Sequence, residues 1–373
     1  MRGGMPAELA YLFLVFDIWY LIFLSMSILV INSGSTSIKY KLFDAREKEI
    51  KQGIFEKVTN HTEILKLVLR QIGDLREVKA VGHRVVHGGH KFTRPVIVNQ
   101  QILNELSSFN DLAPLHNPYN LAGIKLVADF LPELPQVAVF DTAFFASLPP
   151  LARLYGLPTW LAEKYQLYRY GFHGISHHYC LQEAARQLKR EEKTLNLITC
   201  HLGGGWSITA IKAGQAIETS MGLTPLGGLM MMTRAGDLDP GIILKLLKVL
   251  PGEINTDKVS QLDEILNNQS GFKGLTGSAD FQQILKQLSL GDEQAKLAFD
   301  LAIGRLVKYL GAYWLVLEGR VDALVLTGAI GAGNPFLRQQ LASKIKCLGK
   351  LPVLAVKPDE ELMIARQVSK LIK

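Results

Sequence analysis

Asn32-Ser33-Gly34-Ser35-Thr36-Ser37-Ile38-Lys39 follows the apolar run Ile28-Leu29-Val30-Ile31 and leads into Tyr40-Lys41-Leu42-Phe43. An apolar strand that ends in small hydroxyl and glycine residues and then resumes reads as a tight hairpin whose backbone N–H groups can face an anion. Lys39 adds a cation, and Asn32 a neutral oxygen able to hold a hydrated magnesium ion. Alone, the stretch reads equally as an ordinary serine and glycine hairpin. A second stretch repeats the pattern: Leu195 to Cys200 predicts a strand, His201-Leu202-Gly203-Gly204-Gly205-Trp206-Ser207 a glycine and hydroxyl turn, and Ile208 to Ile211 the returning strand. Each hairpin opens a β-rich stretch that passes into α/β alternation. The repetition predicts a duplicated α/β domain with nucleotide held between the copies.

The bulk properties bound this reading. At 373 residues, 48% hydrophobic and 20% charged, the chain is globular and long enough for two cores. A formal charge of +7 favours anionic ligands. The lysines and arginines are scattered, without the basic stripe that nucleic-acid binding needs, so small phosphorylated ligands are expected and nucleic acid is not. Cys180, Cys200 and Cys347 are odd in number and lack CxxC spacing, which fits buried thiols in a reducing, cytoplasmic compartment. Leu9 to Leu24 is nearly all apolar but holds Asp17, is short for a membrane span and has no evident cleavage site. Residues 1–25 are therefore expected to be an extension upstream of a natural start at Met26, and membrane association is not expected.

Further along, Gln52 to Val58 predicts a third strand, His61 to Ile72 an amphipathic helix and Val78 to Val81 a short strand. That strand delivers the glycine-flanked turn Gly82-His83-Arg84-Val85-Val86-His87-Gly88-Gly89. Arg84 is placed to take a carboxylate or phosphate bidentately, or simply to pair with a local acid. Asn117 is expected to cap the following helix. The strand Gln136 to Phe140 ends in Asp141, which reads as a site residue at a strand's carboxyl end or as a helix cap. His173 and His177 are four apart, but no HExxH glutamate accompanies them, so a donor histidine is preferred to a metal ligand. Met230 to Met232 read as packed residues. Arg234 sits in a glycine-rich loop ahead of a helix starting at Asp239-Pro240. Helical patterns run from Val259 to Leu266 and from Asp280 to Glu318, broken near Gly291, and a last central strand, Val321 to Leu326, turns through Thr327-Gly328-Ala329-Ile330-Gly331 toward a helix near Asn334.

Taken together, Asn32 to Lys39, Gly82 to Gly89, Phe140 to Phe144, Tyr170 to His177, Thr233 to Pro240 and Glu360 to Ala365 resemble the acetate kinase family of the actin-like phosphotransferase superfamily, from Met26 to the C-terminus. The resemblance implies two duplicated actin-like (ribonuclease H-like) domains, 26–147 plus 361–373 and 148–360, with a nucleotide cleft between them. It implies reversible transfer of the γ-phosphoryl of ATP to acetate, giving acetyl phosphate and ADP, with Mg2+, for which Mn2+ can substitute, and a homodimer. It assigns Asp141, His173 and Arg234 to catalysis, Arg84 to the acid and Asn32 and Glu360 to the metal. Lys39, His201, Leu202, Gly203, Gly204, Gly205, Asp280, Phe281, Gln282, Gly328, Ala329, Ile330, Gly331 and Ala332 match nucleotide positions. Because acetate is already ionised at neutral pH, Asp141 is expected to position an arginine or a magnesium water and not to remove a proton.

The departures from the family pattern lie on the nucleotide side. Gly204 stands where the family has asparagine, Gln282 where it has arginine, Ala332-Gly333 where it has Glu-Asn, and Gly228 where it has glutamate. Weakened or altered donor binding is the expected consequence. The segments from Lys39 to Arg84 and from Leu348 to Val353 are shorter than in most relatives. Propionate or butyrate as acceptor, and pyrophosphate as donor, remain open, as does a non-catalytic nucleotide-gated protein. The last needs none of Arg84, Asp141, His173 and Arg234.

Overall fold

The computed structural model describes residues 27–114 and 116–373; the expected extension over residues 1–25 lies outside them. The chain divides into two units, one running to Ala143 and taking back Glu360–Lys373, the other Phe144–Asp359. The sequence reading put these divisions at 147/148 and 360/361.

The first unit is built on a sheet of β1 (Ser27–Ser33), β2 (Ser37–Phe43), β3 (Glu49–Glu56), β4 (Val78–Val85), β5 (Val96–Ile97) and β6 (Gln136–Phe140), in the order β3-β2-β1-β4-β6-β5. The second is built on β7 (Leu197–Leu202), β8 (Trp206–Lys212), β9 (Gln215–Thr219), β10 (Ala323–Thr327) and β11 (Val353–Ala355), in the order β11-β10-β7-β8-β9. In each, the opening hairpin strand has an antiparallel meander on one side and parallel strands on the other. Thus β3-β2-β1-β4-β6 and β9-β8-β7-β10-β11 are one topology used twice.

Ile28-Leu29-Val30-Ile31 is apolar without alternation because both faces of β1 are covered. Leu29 and Ile31 pack with Leu65, Val68 and Ile72 of the helix His61–Ile72 and with Val127 of the helix Asn117–Phe130. The helix Glu360–Ile372 closes the other face. Its Ile364 and Val368 lie where a Cβ on Gly82 would stand, each 2.8 Å away.

Three local expectations change. The strand expected to stop at Val81 runs on to Val85, so Gly82, His83 and Arg84 are sheet residues and not a turn. Gly82 is glycine to admit the last helix, a contact invisible in the local sequence. The strand expected over Gln52 to Val58 is Glu49–Glu56. Asn117 does not cap its helix, whose N-cap is His116; the Asn117 side chain instead accepts from His87 N (3.0 Å) and donates to His87 O (2.9 Å). Elsewhere local chemistry sets the ends: Asp239 caps the helix Pro240–Val249, and the long helical pattern is two helices, Phe281–Ser289 and Glu293–Val316, capped by Asp280 and Asp292 with Gly291 at φ +81° between them. Among the described residues, no helix is long and apolar enough to cross a membrane.

Candidate active site

In the first unit the candidate residues gather at the carboxyl edge of the parallel strands. The hairpin closes with Gly34 N donating to Ser37 O (2.8 Å), which sets Asn32 directly opposite Lys39. Ile31 pairs with His83, so the next residues, Asn32 and Arg84, emerge on one face, and Arg84 in turn pairs with Val139. Two residues on, past the end of β6, Asp141 returns to that face.

Arg84 donates from Nε (3.1 Å) and Nη2 (2.6 Å) to the same oxygen, Asp141 Oδ2. The Asp141 side chain is 2% exposed and that of Arg84 24%, so a buried carboxylate aims a partly exposed cation. Burial pulls the Arg84 guanidinium down, but the Asp141 carboxylate beside it, with Glu360 and Glu361 farther off, more than offsets this and keeps it charged. Glu360 opens the last helix on the same face. Asp141 Oδ1 is buried with no hydrogen-bond partner among the described residues.

The strand ends are held by two asparagines, Asn120, which has no signal of its own in the sequence reading, and Asn117, expected there only as a helix cap. Asn120 Oδ1 accepts from Val86 N (3.1 Å) and its Nδ2 donates to Ser33 O (2.7 Å), tying the end of β1 to the loop after β4. Asn117 holds that loop one residue further along. Two asparagines three apart on an otherwise apolar helix face were the available signal.

In the second unit, His173 adopts a left-handed backbone (φ +57°) at the N-terminus of the helix Gly174–Leu188. Its ring stacks on His201 at the end of β7, centroids 4.2 Å apart and planes 28° apart. The turn after β7 is closed by Gly203 N donating to Gly205 O (3.0 Å) and by buried Trp206, whose Nε1 donates to Gly203 O (3.0 Å). A Cβ on Gly205 would stand 3.0 Å from the His173 ring and 3.4 Å from Arg234 Nη1. Gly205 thus lets His173 and Arg234 converge.

Burial lowers the Arg234 guanidinium from its usual range. Arg234 Nη1 donates to Pro225 O (3.3 Å). Its loop is held through Met231 O and Met232 O, which accept from Phe272 N (3.0 Å) and Lys273 N (2.9 Å), and by Asp237, whose Oδ1 accepts from Gly228 N (2.7 Å) while its Oδ2 accepts from Tyr309. Met230, Met231 and Met232 are buried.

β10 runs parallel beside β7, so the turn Gly328–Gly331 lies against Leu202; Gly328 is at φ +84° with the Leu202 carbonyl where a Cβ would be. Ala332 O accepts from Arg338 Nη1. Leu202 and Phe281 point into the core, Phe281 against Phe272 with centroids 5.7 Å apart. Asp280 accepts from Gln282 N (2.9 Å) as a helix cap, and Gln282 is exposed. Among the described residues no group of three or more His, Cys, Asp or Glu could hold a metal.

The acetokinase family matches residues 60–370. The chain belongs to the acetokinase family. It is 40% identical over 404 residues to an acetate kinase of Helicobacter acinonychis, covering 93% of this chain and 100% of that one. Among solved structures it is similar to an acetate kinase of Porphyromonas gingivalis and to a propionate kinase of Francisella tularensis, each at 34% identity and TM-score 0.85, covering 93% and 92% of this chain and 100% and 98% of theirs. The paired sheets are the duplicated actin-like fold of the acetokinases.

Nothing lies within 4 Å of a Cβ on Gly204, and Gln282 faces solvent. Gly228 differs in kind. At φ +92°, with Ser220 O only 2.7 Å from a Cβ, this left-handed backbone leaves no room for a larger side chain.

Proposed function

We propose that this acetokinase transfers the γ-phosphoryl of ATP reversibly to acetate, forming acetyl phosphate and ADP by direct in-line displacement. The observation that carries the reading is the near-complete span of relatives named acetate kinase, at 40% identity. The side-chain geometry supports the chemistry. Acetate, with a pKa near that of aspartate and glutamate side chains, is a ready nucleophile at neutral pH, so the barrier to overcome is repulsion between two anions. Arg84, aimed by Asp141, orients the acid's carboxylate, while His173 and Arg234 stabilise charge on the phosphoryl oxygens.

The donor set fits a hydrated magnesium ion shared with nucleotide phosphates and not a closed protein cage. Asn32 and Glu360 would hold it, and the unpartnered Asp141 Oδ1 suits a water of its shell. The metal would supply neutralisation of phosphate charge. Glycine at 204 and glutamine at 282 each withdraw a polar contact worth about 0.5–1.5 kcal/mol, so ATP is bound roughly ten- to a hundredfold more weakly than with both contacts present. Propionate is the second reading, favoured by the Francisella tularensis structure. Hydroxamate trapping of the acyl phosphate, with acetate, propionate and butyrate against ATP and pyrophosphate, tests both. Acetate with ATP is expected to give the highest kcat/KM, and no acyl phosphate from any acid would overturn the proposal.

A further inference from the structure

The second sheet and the helix that covers it bury hydroxyl and imidazole groups side by side. Thr199 on β7, Ser207 on β8 and His177 on the covering helix are all fully buried. His177 Nδ1 is hydrogen-bonded to Thr199 Oγ1 (2.7 Å) and its Nε2 to Ser207 Oγ (2.8 Å); the same Ser207 Oγ is hydrogen-bonded to His173 Nδ1 (3.0 Å). These contacts make a continuous chain, Thr199 to His177 to Ser207 to His173. A buried polar chain is costly unless every member is paired, and it fixes a unique arrangement when it is. Burial holds the His177 ring well below its ordinary pKa, so it carries a single proton.

We propose that Thr199, His177 and Ser207 are positioning residues that fix His173 as the tautomer with its proton on Nε2. The proposal rests on the reading of His173 as a donor to phosphoryl oxygens. A neutral ring that donates from Nε2 must accept at Nδ1, so Ser207 spends its one hydrogen there. The Ser207 oxygen must then accept from His177 Nε2–H, and the bare His177 Nδ1 must accept from the Thr199 hydroxyl. Each link carries one hydrogen and no proton leaves the chain. The opposite direction would put the His173 proton on Nδ1 and turn a lone pair toward the phosphoryl group. Stacking on His201, itself hydrogen-bonded to Ser176 Oγ (2.8 Å), fixes the plane of the ring.

Long-range 1H–15N correlation on the full chain labelled with 15N-histidine reads the tautomer, with the His173 signals assigned by their loss in His173→Gln. The wild type is expected to show His173 protonated at Nε2. Ser207→Ala is expected to give a mixture of tautomers and lower kcat about tenfold, with the KM values for acid and nucleotide little changed. An Nδ1–H tautomer in the wild type, or a folded Ser207→Ala with an unchanged tautomer, would overturn the proposal. Should Ser207→Ala not fold, the wild-type spectrum decides alone. Failure of the wild type to form any acyl phosphate would remove the proposed activity, while the spectrum would still test the chain.

Discussion

Replacing Asp141 by asparagine keeps the shape of the side chain and removes its charge. The structure sets the size of the effect. Arg84 rests two donors on one carboxylate oxygen, at 3.1 and 2.6 Å, with the carboxylate 2% and the guanidinium 24% exposed. For unit charges about 4 Å apart at an effective dielectric of about 20, the attraction is about 4 kcal/mol. Against this stands the cost of keeping the carboxylate out of water, several kcal/mol, which the substitution also removes. Stability should therefore change by no more than about 1 kcal/mol in Asp141→Asn. Asp141→Ala, which leaves Arg84 without its acceptor, should cost about 2–3 kcal/mol, below the 3–5 of a fully buried pair because part of Arg84 reaches water. Activity should respond differently. An arginine no longer aimed by a buried anion presents the acid in the wrong place, which costs about a hundredfold in kcat/KM, or ~2.7 kcal/mol. Thermal unfolding and hydroxamate-trapped turnover on the same preparations separate the two effects. Asp141→Asn with kcat/KM for acetate within about threefold of wild type would refute the view that Asp141 works by holding Arg84.

Four other outcomes are expected. Gly204→Asn together with Gln282→Arg should lower the KM for ATP about tenfold with little change in that for acetate, measured by initial rates over a nucleotide series. Gly228→Ala should destabilise by about 2–4 kcal/mol, from a left-handed backbone and a Cβ 2.7 Å from Ser220 O, seen as a lower urea midpoint at unchanged slope. Tyr309→Phe removes one acceptor contact of Asp237 behind the Arg234 loop and should cut kcat about three- to tenfold while leaving the fold intact by circular dichroism. His83 is pulled down to about 4 by burial, so the unfolded chain binds more protons than the folded one between pH 6.5 and 4. Its contribution is complete above pH 6.5 and falls by about 1.4 kcal/mol per unit toward pH 4, and His83→Gln should flatten that part of the stability profile.

How much was legible follows from where each signal lies along the chain. The two hairpins were readable because turn chemistry is local: Gly34 to Ser37 and Gly203 to Gly205 close their turns within a few residues. So were the helix start at Asp239-Pro240 and the break near Gly291. Gly82 was misread because its reason is the helix Glu360–Ile372, far along the sequence but packed on the strand. Asparagine at a helix start usually caps it, but the partner of Asn117 is the backbone of His87. Ser207 looked like any hydroxyl of a glycine turn. Only its place between His177 and His173 distinguishes it, and that depends on a helix crossing a strand.

One topology used twice explains why the two sets of groups differ. The shared strand order offers each unit the carboxyl edge of parallel strands and a hairpin beside it. In the first unit that edge carries charge: Arg84 and Asp141 end neighbouring strands, and the buried carboxylate is stable there because a cation answers it within 2.6 Å. In the second unit the same edge carries backbone. Gly205 and Gly328 remove the side chains that would keep ring, guanidinium and main chain apart, and the polar groups beneath are hydroxyls and imidazoles joined in a chain. A small carboxylate needs one fixed cation, which a sheet edge with a buried counter-charge provides. A polyphosphate needs several donors brought close at once, which main-chain amides can offer only where side chains are absent. The division of charge and glycine between two copies of one fold is thus the division of labour expected for an acid acceptor and a phosphorylated donor.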